Sequence, residues 1–143
     1  MARKITVQWH PSQQIEPVKL FDESGMYFDT VGIDNPTDFE FTADYKNSDS
    51  SVKQFTISLN PDSSDVKIIK NNSDVVRCTA SYTQINQSIA FNIAVTSGSE
   101  VAHTLGGKPV IRNDPRRPFQ GWLVAVGVVV AVMIVAVLLF HYF

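Results

Sequence analysis

Three histidines, one cysteine and one glycine–lysine segment are the residues of this chain whose types could do chemistry. A zinc or related centre needs three or four His, Cys or acidic side chains brought together. His10, His103 and His141 are far apart, and none has a second His, a Cys or an acid at metal-site spacing. His10 follows an alternating stretch and His103 precedes Gly106-Gly107, so both read as solvated loop residues. His141 falls where an apolar segment ends. Cys78 is the only cysteine, which rules out an intrachain disulfide and a Cys-based zinc site. Within Val76-Arg77-Cys78-Thr79-Ala80 it reads as a small buried apolar residue, and a β domain without a bridge leans towards a reducing compartment.

Leu105-Gly106-Gly107-Lys108-Pro109 has glycines and a lysine but lacks the spacing and following helix of a phosphate loop. It reads as a hairpin turn. The Asp and Glu residues are scattered over turns and polar positions, so no acid–base pair can be assembled. Asn71-Asn72-Ser73 and Asn86-Gln87-Ser88 fit the glycosylation pattern and read as polar turns. The expectation is a protein without a catalytic set, a cofactor or a metal. A formal net charge of −2, with no basic stripe, also argues against a nucleic-acid footprint.

The elements that would position these residues are strands. Ile5, Val7 and Trp9 alternate with Thr6 and Gln8. Phe39, Phe41, Ala43 and Tyr45 alternate with Glu40, Thr42 and Asp44. The same period of two recurs in Phe55-Ile57-Leu59, Val66-Ile68, Val76-Cys78-Ala80-Tyr82 and Ile89-Phe91-Ile93-Val95. Met26-Tyr27-Phe28 with Thr30–Ile33, and Pro109–Arg112, supply two more. One apolar and one polar face per run is the pattern of a sheet covered on one side. Turn clusters such as Asp22–Gly25, Asn60–Ser63, Asn71–Asp74 and Ser97–Ser99 separate the runs. The chain is therefore expected to be mainly β, with an immunoglobulin-like antiparallel β-sandwich of seven or eight strands over 1–112. A jelly roll or small barrel is the competing architecture.

Residues 113–120, Asn-Asp-Pro-Arg-Arg-Pro-Phe-Gln, form a stiff juxtamembrane linker in this reading. From Gly121 to Phe140 no residue is charged, and a helix of that length measures about 30 Å, the hydrocarbon thickness of a bilayer. This predicts one C-terminal transmembrane helix over 121–140 and a short tail over 141–143. Phe119, Trp122 and Tyr142 would sit at the interfaces. Arg116 and Arg117 precede the segment and nothing basic follows it, so the β domain is expected on the cytoplasmic side of a membrane, a bacterial inner membrane above all. The same two arginines could meet anionic headgroups. Met1-Ala2-Arg3-Lys4 is basic, but Ile5–His10 alternates, so no signal peptide is expected. Within the helix Gly121, Ala125, Val128, Val132, Ala136 and Leu139 share one face, and Gly127 and Ala131 form a second small pair. Such faces let helices approach closely.

These features predict a non-catalytic, single-span accessory subunit of a larger membrane complex, such as a photosynthetic or respiratory assembly, with other membrane subunits and the bilayer as partners. The alternative is a tail-anchored adaptor that recruits soluble partners. The order of parts resembles in architecture the VAMP-associated proteins, which also join an immunoglobulin-like sandwich to a C-terminal anchor. Those proteins insert a coiled coil and use a basic groove for acidic motifs. This sequence has neither, and family membership does not follow.

Overall fold

The computed structural model describes residues 2–104, 106, 108–115 and 119–142, with helix side chains described from 128 onwards. Ten strands are found among them: β1 (Arg3–Trp9), β2 (Val18–Phe21), β3 (Thr30–Ile33), β4 (Thr37–Ala43), β5 (Thr56–Pro61), β6 (Val66–Lys70), β7 (Val75–Ala80), β8 (Ser88–Ser97), β9 (Glu100–His103) and β10 (Val110–Asn113). One sheet has the order β2-β1-β4-β7-β6, and the other β3-β10-β8-β5 with β9 added to β8. Both are mixed, because β1 runs parallel to β4 and β3 parallel to β10.

The fold is thus mainly β as expected, but two features are corrected. The strictly antiparallel sheet gives way to two mixed ones, since β1–β2 and β3 are added by crossovers and not by tight hairpins. The strand count rises from seven or eight to ten. The additions are β2 and β9, four residues each, too short to show a period. Met26–Phe28 forms no strand; Tyr27 makes one isolated bridge to Phe21, and the Phe28 N–H donates to the Leu20 carbonyl at 2.8 Å.

The alternating apolar residues of both sheets enter one buried cluster, as in a sandwich. Ile5, Val7, Phe39, Phe41, Val76 and Cys78 come from the first sheet, and Ile57, Leu59, Ile89, Phe91, Ile93 and Ile111 from the second. Phe28 bridges the group edge-on to Phe41, with ring centroids 6.4 Å apart. Each fully buried side chain of this size contributes roughly 1.5–3 kcal/mol.

β8 organises the second sheet. Its residues 94–96 pair with β5 and also with β9, so those two strands flank it. β10 pairs at 88–90 on the edge that β9 also uses. β9 and β10 are therefore one edge strand with an interruption. Thr104 faces Ile93 and Pro109 faces Phe91, so two steps along β8 are matched by five on its neighbour. The Thr104 hydroxyl accepts from the Ile93 N–H at 3.1 Å and donates to the Lys108 carbonyl at 2.9 Å, closing the gap.

The outer edge of β5 is closed differently. The Asn71 side chain accepts from the Leu59 N–H (2.9 Å) and donates to its carbonyl (3.3 Å), as a neighbouring strand residue would. Ser73 exchanges two backbone bonds with Ile57. Asn72, between them, has φ 53°, a conformation that Asn tolerates better than most residues.

The helix α1 spans Phe119–Tyr142. Among the described residues no helix is long and apolar enough to cross a membrane. The expected single-pass membrane localisation, with its cytoplasmic orientation, is corrected accordingly.

Phe41 and Phe91 are 0% and 1% exposed, one from each sheet. Phe41→Asp and Phe91→Asp should each cost several kcal/mol, because a carboxylate there has neither water nor a partner. Thermal or urea unfolding followed by circular dichroism checks this, and near-parental stability of both variants would contradict the packing.

Candidate functional site

The closest approach to a catalytic constellation lies where β1 leaves its sheet. The His10 Nδ1 lies 2.9 Å from Asp49 Oδ1, and its Nε2 lies 2.9 Å from Gln8 Oε1. Ser12 donates to Asp49 Oδ2 twice, from its hydroxyl at 2.6 Å and from its N–H at 3.0 Å. A serine, a histidine and an aspartate are thus together, but not in the order that activates a nucleophile. In a hydrolytic triad the imidazole lies between the hydroxyl and the acid and takes the hydroxyl proton. Here the hydroxyl proton goes to the carboxylate, and the far imidazole nitrogen meets an amide.

What this cluster does is hold two loops. The Trp9 N–H donates to Ser48 Oγ at 3.0 Å, and the Asp49 N–H to the Trp9 carbonyl at 3.1 Å. Trp9, 4% exposed, packs edge-on to Phe55 at 5.9 Å. His10 is therefore a half-buried structural residue and not the solvated one read from the sequence. Nothing in residue spacing joins positions 10 and 49; only the fold does. The Ser12 hydroxyl and N–H, then His10, hold the Asp49 carboxyl down at about 2.

The other candidates are dispersed. His103 is exposed, its Nδ1 3.1 Å from Asn92 Oδ1. His141 stacks edge-on to the exposed Tyr142 at 5.8 Å. Cys78 is fully buried, and burial pushes its thiol up to about 12, as expected of a residue that packs and does not react. Among the described residues no three His, Cys, Asp or Glu side chains are placed to hold a metal ion. Of the turn read at 105–109, Leu105 and Gly107 lie outside the described residues; Lys108 pairs with Asp29 at 3.1 Å. Of the two glycosylation-type asparagines, Asn71 is tied to Leu59, while Asn86 is exposed at φ 65°.

A second polar cluster, which residue spacing did not reveal, binds the β7–β8 loop to the end of β10. Asn113 is 1% exposed. Its N–H donates to the Gln87 carbonyl and its carbonyl accepts from the Asn86 N–H, both at 2.8 Å. Its Nδ2 donates to the Gln84 carbonyl at 2.9 Å. The Tyr82 hydroxyl donates to the Asp114 carbonyl. Asp65 accepts from the Thr83 hydroxyl and the Gln87 amide, which lower its carboxyl pKa. Asp114 also forms an ion pair with Arg112 at 2.6 Å across Gly32, where a Cβ would run into the Asp114 carboxylate. The segment that leads towards the helix thus starts from a fixed point.

A small crevice of about 290 Å³ opens beside the Asp22–Ser24 turn, floored by Ile5, Phe28 and Val31 with Arg3 at its mouth. No residue of the clusters above lines it.

On the helix, the described members of the expected packing face are Val128, Val132, Ala136 and Leu139, with Ala131 from the second pair; all are exposed. Val130, Met133, Ile134 and Val137 on other sides are exposed as well, so exposure does not single out that face. Arg116 and Arg117 lie outside the described residues. Phe119, Gly121, Trp122, Ala125 and Gly127 belong to the helix, but their side chains lie outside what is described.

Two measurements check the chemistry assigned here. Cys78 should react with a thiol reagent only after denaturant unfolds the chain; rapid labelling of the native protein would contradict its burial. Asp49 supplies a pH dependence. Its folded pKa lies below the ordinary value of about 3.9, so its contribution to stability is present above pH ~4 and lost as pH falls towards 2. Asp49→Asn should therefore lower the melting temperature at pH 7, and the gap to the parent should close between pH 4 and 2. A gap independent of pH would contradict it.

No protein-family model matches this chain, and no curated protein matches it in sequence.

Proposed function

We propose that the chain is a non-catalytic subunit of a larger protein assembly, in which the β domain is the recognition module and the C-terminal helix the attachment element. The observation that carries this reading is the helix surface. From Val128 to Phe140 every side chain is apolar and exposed, with Val128 58%, Met133 64% and Phe140 91% exposed, and no polar face among them. A helix that is apolar all round is stable in its working form only when it is surrounded. A contiguous exposed apolar patch of this kind marks an interaction site. Apolar helices of other subunits are the covering proposed here. The polar clusters support the same reading, because each carboxylate, hydroxyl and imidazole found in them is engaged in holding loops.

We read the β domain as immunoglobulin-like. If β9 and β10 are counted as one interrupted strand, β4, β7 and β6 in one sheet face β5, β8 and β9/β10 in the other, and β3 runs parallel to β10. That resembles the seven-strand order of such a domain, with the first strand beside the last instead of beside β4 and the β1–β2 hairpin added beside β4.

The test is purification of the tagged full-length protein from its native source in mild detergent, followed by native mass measurement. The proposal expects a stoichiometric complex. Ala131→Leu with Ala136→Leu keeps the helix apolar but thickens it, and should release the subunit while leaving the complex's own activity largely intact. A chain that runs alone, or a complex indifferent to the helix variants, would overturn the attachment role. Retention of soluble partners by the β domain with the helix replaced would favour the adaptor reading.

A further inference from the structure

Exposed strand edges invite pairing with other chains, and proteins block them with charge, bulges or covering segments. Most edges here are blocked. Residues 26–28 cover β2, where the Phe28 N–H meets the Leu20 carbonyl. Asn71 and Ser73 cover β5. β6 carries Lys67 and Lys70, and its register with β7 shifts between Ile68 and Lys70. The Arg112–Asp114 ion pair lies over Gly32 on the face of β3 and does not cover its edge.

Among the described residues β9 has no covering segment and no register shift, and Glu100 is its one acidic side chain. Thr104 and Ala102 direct their backbone groups to β8, because the Thr104 N–H donates to the Ile93 carbonyl and Ala102 pairs with Val95. The N–H and C=O groups of Val101 and His103 must then point away from the sheet, by the alternation of a strand. The strand has no Lys and no Pro, and Val101 is 56% exposed. On the same line β10 is covered by β3, so the place beside β9 is the continuation of a strand position that is already filled.

We propose that this edge of β9 pairs with the same edge of a second copy of the chain. The edge is complementary to itself. Antiparallel pairing that sets Val101 opposite His103 of the partner subunit, and His103 opposite Val101 of the partner subunit, lets both residues exchange both backbone bonds. It places Ala102 on the two-fold axis, where a small side chain faces its own copy. Glu100 comes opposite Thr104 of the partner subunit, so no like charges meet. The two β8-centred sheets become one sheet across the dimer. Because the contact is short, the dimer is weak and is best trapped covalently.

The position on the axis gives the trap. Directly opposed residues of the non-hydrogen-bonded type have Cα atoms about 4.5 Å apart, within disulfide range. Full-length Ala102→Cys protein in mild detergent is oxidised gently, with Ile69→Cys, an exposed position on β6, as the comparison. Cys78 is buried and does not interfere. The proposal expects Ala102→Cys to couple to dimer about tenfold faster or more, as a pre-paired site does. Adding Val101→Pro removes an outward N–H without touching the β8 ladder and should abolish that advantage. Ala102→Ser, melting with the parent, controls for folding. Equal coupling rates, or an advantage that survives Val101→Pro, would overturn the proposal.

Discussion

The second sheet depends on β8 finding a complete hydrogen-bonding partner along both of its edges. At ten residues it is longer than any neighbour, and Ile89, Phe91, Ile93 and Val95 bury their side chains in the common core while their backbone groups face β9 and β10. A buried backbone group left without a partner costs about 1–3 kcal/mol. On the β5 side the ladder is continuous, extended past β5 by the Asp62 N–H to the Ala90 carbonyl at 2.9 Å. On the other side it is broken where the chain inserts extra residues between Thr104 and Pro109. The hydroxyl of Thr104 supplies the acceptor that a strand backbone would have given Ile93. One side chain thereby completes the β8 edge between β9 and β10, each of which also pairs with β8 through its own ladder.

The same logic of substitution recurs wherever the chain departs from regular pairing. Asn71 replaces a strand beside β5, Asp49 gathers the donors of one loop pair, and Asn113 with Tyr82 gathers those of another. Most polar side chains in these clusters are engaged by backbone and by one another, the buried Asn113 Oδ1 being the exception without a partner; this fixes loops and leaves neither cluster with a nucleophile beside a free base. In the proposed reading recognition falls to surfaces: the edge of β9, and the apolar sides of the helix from Val128 onwards.

How much of this was legible in the sequence follows from the length of the signals. Phe39-Phe41, Ile57-Leu59 and Ile89-Phe91-Ile93-Val95 alternate over enough residues to name both the strand and its buried face, and they form the core. β2 and β9 span four residues each, too few to separate a period of two from chance. The mixed pairing could not be read either, because strand direction depends on where the chain crosses between sheets. The burial of Cys78 was visible from its place in an alternating run. The His10–Asp49 and Asn113–Gln84 contacts were not, since each joins residues 39 and 29 positions apart through loops with no periodicity. The uncharged stretch from 121 to 140 suggested a bilayer span, yet hydropathy reports only that a surface avoids water; among the described residues no helix is long and apolar enough to cross.

The role given to Thr104 is tested most directly by amide hydrogen exchange at Ile93, read residue by residue in the parent and in Thr104→Val. Valine keeps the shape and the branching and removes only the hydroxyl. The account predicts that the Ile93 amide is strongly protected in the parent and exchanges many-fold faster in the variant, with Ala94 and Thr96, bonded towards β5, little changed. Equal protection of Ile93 in both proteins would contradict it, and would mean that the Thr104 hydroxyl does not complete this edge of β8.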